Sequence, residues 1–140
     1  MTEKKIESTL LSDGVYVSTT SGVSMYPMLR DRRDTIVVTR CASRLKKYDV
    51  ALFKRGEQYV LHRVIKVLPD SYFIRGDNCI AYDVVKDADV LGKLTEFYRS
   101  DKKKNVMSLG YRLYSGLIVF FHPFVSLKLK IKGRLQRRRR

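Results

Sequence analysis

The sequence predicts a mostly β fold, on three observations. Runs of β-branched and aromatic residues recur at roughly ten-residue spacing, polar and apolar residues partly alternate within them, and turns containing Gly, Pro or Asp separate them. At 140 residues one domain is expected, with residues 15 to 98 sufficient for a small core.

Residues 1 to 14 read as a short polar lead with room for a helical turn. They are charged and lack the apolar core of about 7 to 15 residues that a secretory signal needs, so nothing there is expected to carry the chain across a membrane. Gly14 opens Val15-Tyr16-Val17-Ser18-Thr19-Thr20, whose composition favours a strand. Gly22-Val23-Ser24-Met25-Tyr26-Pro27 follows. Gly22 reaches backbone angles closed to other residues and Pro27 fixes its own φ, a pairing that presents the hydroxyl on a rigid turn, with Met28 and Leu29 packed beneath. Arg30 to Asp34 is a charged turn, and Thr35-Ile36-Val37-Val38-Thr39 is the next strand. Tyr48-Asp49 introduces Val50-Ala51-Leu52-Phe53, and Lys54-Arg55-Gly56-Glu57 is a hairpin turn into Tyr59-Val60-Leu61-His62-Arg63-Val64-Ile65. Leu68-Pro69-Asp70-Ser71 turns into Tyr72-Phe73-Ile74, and Gly76-Asp77-Asn78 ends that strand.

Within this frame one set of residues carries chemistry. A serine hydroxyl is a weak nucleophile until a base takes its proton. Ser24 is the candidate nucleophile, His62 the candidate base, and the stretch from Arg75 to Asp83 offers two carboxylates to orient the imidazole. Each alone has an ordinary reading: Ser24 and Asp77 as turn formers, His62 as a strand residue with its tip in water.

Five ordered boxes shift that weighing: Gly22-Val23-Ser24-Met25-Tyr26-Pro27, Tyr48-Asp49-Val50-Ala51-Leu52-Phe53, His62-Arg63-Val64-Ile65, Gly76-Asp77-Asn78 and Val90-Leu91-Gly92-Lys93. Across residues 20 to 94 the chain resembles a type I signal peptidase, of the clan that also holds the LexA-type self-cleaving repressors. In ordinary bacterial members the position of His62 is a lysine; in the endoplasmic-reticulum and archaeal type it is a histidine, which this chain matches. The resemblance implies a coiled, barrel-like β-sheet domain and a serine endopeptidase that cuts signal or leader peptides after small residues, binding them extended beside a sheet edge. It implies Ser24 as nucleophile, His62 as base, and Asp83, six residues beyond Asp77, as the third member. Asp77 is the alternative, expected to brace its loop through nearby backbone N–H groups. The Ser24 backbone N–H is the expected oxyanion donor, and no cofactor or metal is implied. Two departures stand out. Tyr48 replaces the family's usual glycine, and Gly22 replaces a serine that many members place two residues before the nucleophile.

Charge divides the chain. Residues 1 to 98 carry 16 Lys and Arg against 13 Asp and Glu, whereas residues 99 to 140 carry 13 against 1. A uniformly basic nucleic-acid binder would not partition its charge this way, so nucleic acid is not an expected partner. Cys41 and Cys79 make no disulfide framework and no zinc spacing, and read as reduced structural residues.

The sequence thus divides into a catalytic domain over 1–98 and a basic C-terminal segment over 99–140. Leu113 to Leu127 is an apolar run of 15 residues, shorter than the roughly 20 that span a bilayer, between Lys102-Lys103-Lys104 and a tail, Lys128 to Arg140, with eight basic residues. That pattern suits an interfacial helix on an anionic membrane, formed by residues 106 to 140, followed by a disordered tail. The expected location is peripheral, on the cytoplasmic face. The competing expectation is a C-terminal helix docked on the catalytic domain with a disordered tail; in either case His122 is expected in packing or at the interface. Two other functional readings stay open: a catalytically inactive module that binds membrane or nucleic acid through its tail, and a LexA-like regulator. The latter is disfavoured because such proteins use lysine as the base and carry an N-terminal DNA-binding domain, for which residues 1 to 14 leave no room.

Overall fold

The computed structural model describes residues 3 to 139; Met1, Thr2 and Arg140, the outer ends of the polar lead and the basic tail, lie outside the described residues. Among the described residues eight strands form one antiparallel sheet: β1 (Val15–Thr19), β2 (Thr35–Thr39), β3 (Val50–Arg55), β4 (Gln58–Val67), β5 (Ser71–Arg75), β6 (Asp83–Lys86), β7 (Val90–Arg99) and β8 (Lys102–Asn105). Their order is β1-β2-β7-β3-β4-β5-β6, with β8 on β7. The fold is mostly β, as the sequence predicts, and the sheet curls into a half-barrel, consistent with the coiled, barrel-like sheet that the resemblance implies.

Curl follows from packing. In β3, Val50 and Leu52 enter one apolar cluster with Val38, Leu94, Phe97 and Met25, while Ala51 and Phe53 enter a second with Val64, Tyr72, Ile74 and Val85. A strand buried on both faces needs an unbroken apolar run, and Val50-Ala51-Leu52-Phe53 is one. Register shifts at Val37/Val38, Leu52/Phe53 and Val64/Lys66 add the local bends that close the curve. The strand β7 changes partner along its length, pairing with β3 through residues 90 to 93 and with β8 through residues 96 to 99. The sheet therefore continues past the division at residue 98 read from the sequence.

Tyr48 takes a backbone angle suited to glycine. Its φ is +77°, a left-handed angle that glycine adopts without strain, and Tyr48 accepts it while its N–H bonds the Val64 carbonyl at 2.9 Å.

Among the described residues three α-helices accompany the sheet: α1 (Glu3–Asp13), α2 (Leu109–Phe120) and α3 (His122–Arg138). The polar lead is a helix of 11 residues rather than a turn. Leu10 is buried in the core, Ile6 packs against it one turn away, and Glu7 accepts from Tyr59 Oη at 2.8 Å and Lys54 Nζ at 3.2 Å. In the basic third, the Ser108 hydroxyl caps α2 by accepting from the Tyr111 N–H. The apolar run expected as a single segment breaks at Phe121, where ψ is 6°, and α3 restarts with Pro123 in its first turn, where the missing N–H costs no bond. The tail expected to be disordered is helical through Arg138. Among the described residues no helix is long and apolar enough to cross a membrane.

Candidate active site

Ser24, His62 and Asp83 line one open cleft of about 490 Å³, together with apolar residues that include Met25, Leu29, Leu52 and Leu61. Strand parity separates His62 from its neighbour. On β4 they point to opposite faces, so His62 looks into the cleft while Arg63 turns toward α2.

The loop between β5 and β6 brings the parts together. A Cβ added at Gly76 would lie 2.7 Å from the Ser24 carbonyl oxygen and 3.0 Å from His62 Nε2, so only glycine lets the Ser24 segment and the imidazole approach here. From the same loop, Asn78 donates its backbone N–H to the Ser24 carbonyl at 2.8 Å and its side-chain amide to the Val23 carbonyl at 3.1 Å. Gly22 has a φ of +86° and bonds Asp31 at 2.8 Å through its N–H. Among the described residues, the Ser24 hydroxyl and the Ser24 N–H make no hydrogen bond.

Asp83 Oδ2 lies 3.7 Å from His62 Nδ1. That distance is an electrostatic contact rather than a hydrogen bond, and Nδ1 has no hydrogen-bond partner among the described residues. Arg55 holds the same carboxylate at 3.0 and 3.2 Å. Burial pushes the His62 pKa below its ordinary 6.5; Asp83 pulls it up and Arg55 pushes it down. The buried ring is therefore neutral near pH 7, the state a general base requires.

Asp77 is placed differently. Its two oxygens accept from Arg63 Nε and Nη2, each at 2.8 Å, in a pair that is almost wholly buried. Its carboxylate is held by a guanidinium, where bonds to nearby backbone N–H groups were expected. Burial by itself would lower the Arg63 pKa, yet the hydrogen bonds and charge of Asp77 outweigh it and the net shift is upward. Arg63 also donates to the Tyr48 carbonyl and, at 2.8 Å, to Ser115 Oγ on α2.

Cys41 and Cys79 are free and half-buried, and burial raises both thiol pKa values, which disfavours a nucleophilic thiolate. Among the described residues no group of three or more His, Cys, Asp or Glu residues is arranged to hold a metal ion.

Several residues that shape the site escaped sequence reasoning. Arg55 read as part of a hairpin turn and Ser115 as part of an apolar run; His122, expected in packing or at an interface, is buried, and the sequence did not show its partner, the Cys79 carbonyl 2.7 Å from Nε2. The boxes flagged Gly76 and Asn78 without revealing what they touch. No local pattern encodes a contact across 43 or 52 positions, so no sequence signal existed for His122 or Ser115.

Comparison with protein-family models and with curated proteins finds no match.

Proposed function

We propose that the chain is a serine endopeptidase of the signal peptidase I type, cleaving signal or leader peptides after small residues. One observation carries the reading: Ser24, His62 and Asp83 share one cleft, drawn together by a glycine at whose Cβ position the Ser24 carbonyl and His62 Nε2 lie within 3.0 Å. The serine and imidazole belong to segments 38 residues apart, brought to the same point by the loop that leads into Asp83.

In the mechanism, Ser24 Oγ attacks the scissile carbonyl while His62 Nε2 takes its proton, and the imidazolium then gives that proton to the leaving amine. Asp83, behind Nδ1, stabilises the charged ring. The resulting ester is hydrolysed by water, with His62 again acting as base. The Ser24–His62 hydrogen bond forms as substrate fills the cleft, since such bonds tighten on binding. The Ser24 N–H is the oxyanion donor. A serine at position 22 would be strained at that residue's φ of +86°, so the side-chain donor of many relatives is replaced by backbone. Losing an oxyanion donor costs about 2.7 to 4 kcal/mol of transition-state stabilisation.

The working place in this proposal is an anionic membrane surface. Support comes from exposed Leu109, Leu113, Leu117 and Phe120 on α2, continued by Phe124, Leu127, Ile131 and Leu135 on α3, at spacings of three and four residues. Lysines and arginines interleave with this stripe on α3. An apolar stripe with a cationic face is the pattern of a helix lying in a lipid interface.

The deciding experiment is fluorophosphonate labelling and peptide turnover by wild type, Ser24→Ala, His62→Ala and Asp83→Asn. Labelling at Ser24 that needs His62 supports the proposal; a wild-type protein inert in both assays overturns it and favours an inactive binding module.

A further inference from the structure

We infer that His122 is a positioning residue of the active site, acting from the C-terminal helices through the carbonyl of Cys79; as a role in catalysis this rests on the peptidase reading above.

The loop over residues 76 to 82 leaves β5, meets the nucleophile's segment and ends at Asp83. It bonds the Ser24 and Val23 carbonyls through Asn78 and meets the Ser24 carbonyl again through Cys79 Sγ at 4.0 Å, while the Cys79 N–H turns back to the Gly76 carbonyl at 3.1 Å. The Cys79 carbonyl faces away from this turn and is held by His122 Nε2 at 2.7 Å. A carbonyl oxygen only accepts, so Nε2 carries the proton and donates. His122 is 6% exposed, at the first position of α3, where the break after α2 points the ring inward.

A second contact fixes the same geometry. Ser115 on α2, 1% exposed, accepts from Arg63, and Arg63 grips Asp77, two residues before Cys79. The loop is thus held at Cys79 directly by α3, and at Asp77 by Arg63 of β4, whose guanidinium α2 contacts through Ser115. Rotating or releasing it would move Asp83 relative to Nδ1 and loosen the Asn78 bond to the Ser24 carbonyl. A shift of about 1 Å in a catalytic group costs on the order of 100-fold in rate. Core packing alone would be met by an aromatic or aliphatic ring at position 122. A buried donor aimed at a carbonyl of the catalytic loop does more.

The test separates hydrogen-bond donation from filling space. His122→Gln places an amide donor near the Nε2 position, His122→Asn holds a donor one bond short, and His122→Phe keeps ring volume without a donor. Fluorophosphonate labelling of Ser24, peptide kcat and KM, and amide hydrogen exchange over residues 76 to 83 are read on each full-length protein, with thermal unfolding as the check on folding. The expected result is a kcat lower by roughly 100-fold in His122→Phe and His122→Asn, KM little changed, faster exchange confined to the loop, and near wild-type behaviour in His122→Gln. If His122→Phe fails to fold, the Asn and Gln pair carries the comparison. Equal loss in Gln and Asn, or wild-type rates in Asn, overturns the inference. If wild type itself does not react, the peptidase reading falls; loop exchange that is slow in wild type and Gln but fast in Asn still establishes the grip on Cys79.

Discussion

Two aspartates six residues apart divide the work. Asp83 faces the imidazole across 3.7 Å and Asp77 is consumed by Arg63, so equivalent substitutions should fail in different ways. Asp83→Asn should leave the unfolding midpoint almost unchanged while kcat falls by a factor of up to about 10⁴, because the imidazolium formed in the reaction loses the carboxylate that stabilises it. Asp77→Asn should cost about 3 to 5 kcal/mol of folding stability, because it leaves a buried guanidinium without its counter-charge. Chemical denaturation of the two proteins side by side decides this; a stable Asp77→Asn would mean that Arg63 finds another partner. The pH profile belongs to the same scale. Because burial and Arg55 depress the His62 pKa, the acid limb of kcat/KM should lie below 6.5, and Arg55→Gln should move it upward. A limb that does not move would remove Arg55 from the electrostatics of the base.

At the scale of elements, the loop between β5 and β6 matters more than any strand. A methyl group at position 76 would sit 2.7 Å from the Ser24 carbonyl and 2.7 Å from Cys79 Sγ, so Gly76→Ala must push the nucleophile's segment, the thiol or the loop aside. The expected outcome is loss of Ser24 labelling with about 1 to 3 kcal/mol of destabilisation, as overpacking usually brings. Labelling at the wild-type rate would show that the approach has slack. The elements themselves were unequally legible. The strands around Val17, Val37, Leu52, His62 and Phe73 announced themselves by β-branched runs and bounding turns, and Gly56 and Pro69 fall in the connections where they were expected. The helix α1 was harder, since Ile6 and Leu10 are the few apolar positions that turn inward and Leu11 is exposed. The break at Phe121 was hidden because an apolar run does not reveal where its axis turns. Ser24, His62 and Asp83 could be nominated from ordered motifs, but their supports, Arg55, Ser115 and His122, depend on through-space contacts that only the folded chain creates.

For the whole molecule, charge and burial make separate predictions. The 13 basic residues of the last third, beside an exposed row of leucines and phenylalanines, should carry the protein upward with anionic vesicles in a flotation gradient at low salt, and less so as salt rises. Protein that stays at the bottom with anionic vesicles at low salt would defeat the membrane proposal while leaving the peptidase chemistry untouched. Acid should also weaken the fold. His62 and His122 are both buried with pKa values below 6.5, so the unfolded chain binds protons that the folded one refuses. Above about pH 6.5 neither histidine contributes; below it stability falls, down to the depressed folded values. Urea midpoints at pH of about 8 and about 5 measure this, and His122→Gln should reduce the difference.

The hydroxyl of Ser115 on an otherwise buried guanidinium sets how small this protein can be made. A version ending at Asn105 would keep every strand and all three reactive side chains, yet it would open Arg63 and Asp77 to water and leave the Cys79 carbonyl unsupported. The half-barrel by itself is expected to lose the arrangement of Ser24, His62 and Asp83. Whatever holds the C-terminal helices in place holds the cleft in shape.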